Sequence, residues 1–121
     1  MTPKLLADLY QSAKTARSIA KWSQLPDELK PQIIRALFKL RCSPLRSATS
    51  IDLLGFRIRF SSVGILRELF REIFVGGIYM FECNTDRPII VDCGSDIGMS
   101  ILFFKRLYPK ARIIGFEPDP L

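Results

Sequence analysis

The stretch from Pro88 to Pro120 reads PIIVDCGSDIGMSILFFKRLYPKARIIGFEPDP, and its pattern decides the fold. Ile89, Ile90 and Val91 form a continuous apolar run that closes on Asp92. Such a run predicts a strand buried on both faces, as in a parallel sheet. A glycine-punctuated loop follows, from Cys93 to Gly98. Helical spacing then holds from about Gly98 to Tyr108, which puts Met99, Leu102, Phe103 and Leu107 inward and Lys105 and Arg106 outward. Pro109 cannot continue that helix. Ile113, Ile114, Gly115 and Phe116 make a second apolar strand ending at Glu117. Counted from Ile89 to Glu117 the unit is 29 residues long, which suits a right-handed βαβ crossover.

Each residue type in this unit has a physical use. Gly94 and Gly98 let the backbone turn tightly and approach a ligand with no Cβ in the way. Their loop follows the first strand, and open α/β sheets bind ligands at the carboxyl ends of their strands. The following helix offers unpaired N–H groups and the positive end of its dipole. Glu117 lies 23 residues after Gly94, at the end of the neighbouring strand, where a carboxylate can accept both hydroxyls of a ribose.

The loop reads Asp92-x-Gly94-x-x-x-Gly98, whereas a dinucleotide fingerprint reads G-x-G-x-x-G. Asp96 stands where the middle glycine belongs, and Asp92 precedes the first glycine by two residues. A carboxylate there repels a pyrophosphate and suits a ligand carrying an ammonium group. S-adenosylmethionine has a ribose, an ammonium, a sulfonium and no phosphate, so the loop fits that cofactor better. The plain alternatives are a capping or turn role for Asp92, turn formation alone for Gly94 and Gly98, and a surface acid for Glu117. Cys93 is read as a small buried residue rather than a nucleophile, because no histidine exists in the chain to activate it. Phe103 and Phe104 are read as packing residues.

Upstream, Leu5, Leu6, Leu9, Tyr10, Ala13, Ala16, Ile19 and Ala20 recur at helical spacing from Pro3 to about Trp22, a stripe expected to pack on the domain behind it. Thr2 is placed to cap that helix, with Pro3 in its first position. A second amphipathic helix is expected from Pro31 to Arg41 and a polar linker from Cys42 to Ser50. Ile51 to Phe60 alternates, with Phe56, Ile58 and Phe60 on one face of a strand and Arg57 and Arg59 on the other. Ser61 or Ser62 opens a helix that Gly76-Gly77 stops. Ile78 to Phe81 is expected to be a short strand or a turn docking on the next unit, and Asn84 to Pro88 a loop.

The chain has 121 residues, 48% of them hydrophobic and 25% charged, proportions that exclude a disordered or fibrous protein. No apolar run reaches the roughly 18 residues a membrane-spanning helix needs. Asp8 interrupts the first apolar stretch, which argues against a secretory signal. Nine Lys/Arg against three acids in residues 1–46 account for the whole net charge of +6. Such a basic segment is ordinarily a solvated helical face; its functional alternative is weak contact with an anionic membrane surface, while nucleic acid is not expected. Three cysteines share no metal-ligand spacing, so no metal site is assigned, and their odd count points to a reducing, cytoplasmic compartment.

The segment resembles the FkbM-type methyltransferases, S-adenosylmethionine-dependent enzymes with the Rossmann-like class I fold. The resemblance rests on Asp92, Gly94 and Gly98, on the run Phe116-Glu117-Pro118-Asp119-Pro120, and on Arg71 to Phe81 (REIFVGGIYMF) as a lead-in. It extends from about Ile51 to the C-terminus. After the first glycine the family usually carries a small residue and an amide; here these are Ser95 and Asp96, and the acid at Asp96 is the departure.

The resulting expectation is an α/β chain: a basic helical region over 1–46, then over 51–121 a small β-containing lead-in and the first βαβ unit of a class I fold. The resemblance implies methyl transfer to the hydroxyl of a small-molecule or glycan acceptor. It implies cofactor contacts from Asp92, Gly94, Ser95, Gly98 and Glu117, with no catalytic residue assigned. A class I sheet has about seven strands, so the chain is expected to be a truncated portion of the domain, inactive alone. The alternatives are a nucleotide-linked dehydrogenase fragment and a non-catalytic protein that binds membrane or nucleic acid through its basic helices.

Overall fold

The computed structural model describes residues 1–119, and of Trp22 the backbone only. Pro120, the last residue of the Phe-Glu-Pro-Asp-Pro run, lies outside the described residues. Helix α1 spans Pro3–Trp22, with the Thr2 side chain accepting from the Leu5 amide at 3.2 Å and Pro3 in the first turn. Helix α2 spans Lys30–Cys42 and packs against α1. It buries Ile33, Ala36, Leu37 and Leu40, the spacing of one helical face.

The stripe expected to bury α1 does so only in part. Ile19 and Ser12 are buried, whereas Leu6 and Tyr10 are 55% and 69% exposed. Ser12, a small residue, sits at the centre of the covered face, so the contact surface is rotated away from the Leu6–Tyr10 edge.

Residues 50–59 form a hairpin rather than one strand. Strand β1 (Ser50–Leu53) pairs antiparallel with β2 (Phe56–Arg59). Leu54 and Gly55 form the turn, with φ of 53° and 84°, the positive pair that a two-residue hairpin loop requires. Ile51, Leu53 and Ile58 face the core, while Phe56 is left exposed. Asp52 and Arg57, cross-strand partners on the outer face, make a two-pronged ion pair at 2.9 and 3.0 Å.

Helix α3 spans Val63–Phe70, opened by Ser62 and continued by a wider π-helical turn over Arg71–Val75 up to Gly76. Its buried rings join the core: Phe70 stacks on Phe74 at 5.0 Å, and Phe74 meets Phe103 edge-on at 5.3 Å. Residues 78–81 form a turn region, one of the two forms expected, and dock by their rings. Tyr79 packs against Phe104, and Phe81 against Phe104 and Tyr108.

The last unit is strand β3 (Ile89–Cys93), helix α4 (Met99–Leu107) and strand β4 (Arg112–Phe116). The strands are parallel, with Ile90 opposite Ile113 and Asp92 opposite Gly115. Phe103 and Phe104 are buried packing residues, as expected. Lys105 and Arg106 are not simply outward. Both are half-buried, Lys105 donating to the Ala111 carbonyl and Arg106 to the Gln32 side chain on α2.

Burial of the sheet differs from expectation. Ile89, Val91, Ile114 and Phe116 are 71%, 59%, 40% and 58% exposed, and Cys93 beside them is exposed rather than buried. These residues share one face by the pleat, and the register puts Val91 beside Ile114 and Cys93 beside Phe116. Among the described residues α4 covers only the opposite face, that of Ile90 and Ile113, which pack on the core.

Candidate functional site

The loop between β3 and α4 is held at the carboxyl ends of both strands. The amides of Gly94 and Ser95 both donate to the Phe116 carbonyl, at 2.7 and 3.0 Å. The Gly98 amide closes a turn on the Ser95 carbonyl at 2.8 Å. Three of the five residues in 94–98 have positive φ: Gly94 at 84°, Asp96 at 51° and Gly98 at 86°. The alternation demands glycine, or a short polar residue such as Asp96, at each of these positions. A Cβ added to Gly94 or Gly98 meets nothing within 4 Å, so the space above both glycines is open to a ligand.

Asp92 lies on the α4 side of β3, half-buried, and accepts a hydrogen bond from the Ser100 hydroxyl in the first turn of the helix. Ser100 is itself buried. The pair ties strand to helix across the loop and fixes the carboxylate. Gly98, the residue that caps helix α4, offers no side-chain bond to the first amides of the helix, which retain their hydrogen-bonding capacity at the loop.

Glu117 stands one residue past β4. One carboxylate oxygen accepts the Asp96 amide at 2.6 Å and the other the Asp119 amide at 3.0 Å. The side chain therefore braces the glycine loop against the segment after β4. Each carboxylate oxygen can accept a second bond, so this bracing does not exhaust it.

The structure thus brings Asp92, Gly94, Ser95, Gly98 and Glu117 together at one end of the parallel pair. Ser95 contributes mainly backbone, since its side chain is 9% exposed and turned toward Gly115. Two further residues shape the site without standing out in sequence. Ser100 holds Asp92. Gly115 lets the loop and helix close on β4, since a Cβ there would come within 2.7 Å of Ile101 Cδ1 and 3.3 Å of Ser95 Oγ. The signal for Gly115 was a glycine inside an apolar strand, which marks close approach by a neighbour.

Comparison with known proteins finds relatives over part of the chain. The chain is 42% identical over 53 residues to Methyltransferase sdnD of Sordaria araneosa, a stretch covering 44% of this chain and 20% of that protein. It is 44% identical over 50 residues to Methyltransferase 1 of Beauveria bassiana, covering 41% of this chain and 20% of the relative. These similarities support a methyltransferase family. The matched stretch spans about a fifth of the length of either relative. No family profile matches the chain, and no solved structure matches it. Among the described residues no helix is long and apolar enough to cross a membrane.

Proposed function

We propose that residues 88–119 form the cofactor-binding end of an S-adenosylmethionine-dependent methyltransferase of the FkbM type, acting on a hydroxyl acceptor. The observation that carries this reading is the loop 94–98, braced by Glu117 and open above Gly94 and Gly98. Its chemistry fits the cofactor. The Asp92 carboxylate lies beside the loop to meet an ammonium group, and the free amides at the start of α4 suit a carboxylate. The Glu117 oxygens, half-exposed, are in position to accept ribose hydroxyls in addition to the loop amide. The backbone at Gly94 lets the ligand approach closely.

When bound, the cofactor supplies a methyl group on sulfonium, which an acceptor oxygen takes by in-line displacement while sulfur keeps the bonding pair. The residues of this chain bind and orient; none is assigned as the base that takes the hydroxyl proton. The acceptor, a small molecule or glycan hydroxyl, is assigned by resemblance to the family.

Amide chemical shifts report the binding directly. S-adenosylhomocysteine is expected to shift the amides of residues 94–98 and of Glu117 and Asp119, and NAD is expected to leave them in place. A response to NAD in place of S-adenosylhomocysteine overturns the methyltransferase reading in favour of a dehydrogenase-like site.

A further inference from the structure

A cleft of about 660 Å³ lies between the start of α1, the end of α2 and the start of α3. None of its lining residues belongs to the glycine loop. Its walls carry four cationic side chains, Lys4, Arg41, Arg46 and Arg67, against the single carboxylate of Asp8. They come from four different places in the chain: α1, the last turn of α2, the loop after α2, and α3. A run of charge along one helix face is ordinary, but this convergence is made by the fold, and Arg67 comes from outside the basic N-terminal third.

Bringing like charges into one concavity is unfavourable, and partial burial makes it more so. Arg41 is half-buried, yet its guanidinium makes no hydrogen bond or ion pair with any described residue. Arg67, also half-buried, spends its Nε on the Leu40 carbonyl at 2.9 Å, which fixes the guanidinium and leaves both terminal nitrogens for another acceptor. The Lys4 and Arg46 side chains are exposed at the rim and likewise make no bond among the described residues. Ser43 adds a hydroxyl to the lining. Rigid guanidinium forks with open donors match the oxygens of a phosphate, and the volume is within the ordinary range of small-ligand sites, roughly 300–1,000 Å³.

We propose that this cleft binds a phosphate-bearing ligand, held by Arg41 and Arg67 with Lys4 and Arg46 at its mouth. The phosphate is that of a soluble phosphomonoester or of a lipid headgroup, and the two sources share the same recognition chemistry. The site is independent of the methyltransferase reading, so either can fail alone.

The test uses the full chain with two probes, glycerol 3-phosphate in solution and phosphatidylcholine vesicles containing phosphatidic acid. Arg41→Gln and Arg46→Gln leave the Arg67–Leu40 bond in place and are not expected to unfold the chain. Arg59→Gln removes one charge, half of what the pair removes, from exposed strand β2 outside the cleft lining, and serves as the control. The expected result is binding weakened at least tenfold by the Arg41→Gln/Arg46→Gln pair and less than twofold by Arg59→Gln. Loss of glycerol 3-phosphate binding in the pair assigns a soluble ligand; loss of vesicle sedimentation alone assigns a lipid headgroup. Absence of binding to both probes overturns the proposal. So does an equal loss per charge removed in the Arg59→Gln control, which would reduce the effect to net charge.

Discussion

The Glu117 carboxylate accepts the backbone amide of Asp96 at 2.6 Å, joining the end of the second parallel strand to the crest of the glycine loop. Asp96 holds a positive φ of 51° there, a conformation that costs a non-glycine residue energy and that this bond helps to hold. Glu117 thus braces the loop, and its proposed acceptance of ribose hydroxyls is a second role to separate from that one.

Glu117→Ala removes both roles. S-adenosylhomocysteine affinity is expected to fall by about 1.5–3 kcal/mol, the worth of charge-assisted hydrogen bonds. Hydrogen exchange at the Asp96 and Asp119 amides is expected to quicken in the same variant. Faster exchange with unchanged affinity by calorimetry would leave Glu117 as a brace only.

Gly94→Val places a branched side chain where φ is 84° and where nothing of the protein lies within 4 Å. The clash is therefore with the ligand and with the backbone conformation, not with the core. Cofactor binding is expected to be lost while helix content by circular dichroism stays close to wild type. Normal binding by Gly94→Val would show that the loop only turns the chain.

Gly115 fails for a different reason. Gly115→Val crowds Ile101 and Ser95 and is expected to destabilise the fold by about 1–3 kcal/mol, the usual cost of overpacking. Gly115→Ala is expected to cost less, because the methyl it meets first is the far end of the Ile101 side chain and can swing aside. Denaturant melts of the two variants check the order; equal stability of both with wild type would show that the approach is not tight.

The hairpin carries a pH signature. The hydrogen-bonded Arg57 guanidinium holds the Asp52 carboxyl below its ordinary value of 3.8. A group with a folded pKa below its unfolded one stabilises the fold above the unfolded value, and that contribution is lost as pH falls through the folded one. The pair is fully exposed, so the effect is small. The melting temperature of Asp52→Asn is expected to lie slightly below wild type at neutral pH and to converge with it at acid pH below the ordinary aspartate range. A gap that persists in acid would assign the loss to something other than the ion pair.

The open sheet face predicts association. Ile89, Val91, Ile114 and Phe116 present contiguous apolar surface on a sheet that shows unpaired edges among the described residues. Light scattering of the purified chain is expected to show species larger than a monomer, and Val91→Glu with Ile114→Glu is expected to reduce them. A monodisperse monomer at high concentration would show that this face tolerates water.

Local pattern was enough to place the βαβ unit, the cap at Thr2, a helix start at Ser61 or Ser62 and the glycine loop between strand and helix. Apolar runs, glycine spacing and helix capping act over a few residues, so they are legible in order along the chain. The hairpin at 50–59 was missed because Leu54-Gly55 is a weak turn signal inside an alternating apolar stretch. The Ser100–Asp92 bond, the rotation of α1 about Ser12 and the reach of Arg106 to Gln32 depend on how elements pack, which periodicity does not encode. The same holds for charge. Sequence located the basic residues, but only the packing of α1, α2 and α3 decided that Lys4, Arg41, Arg46 and Arg67 share one cleft, because electrostatic interaction follows distance in space rather than separation along the chain.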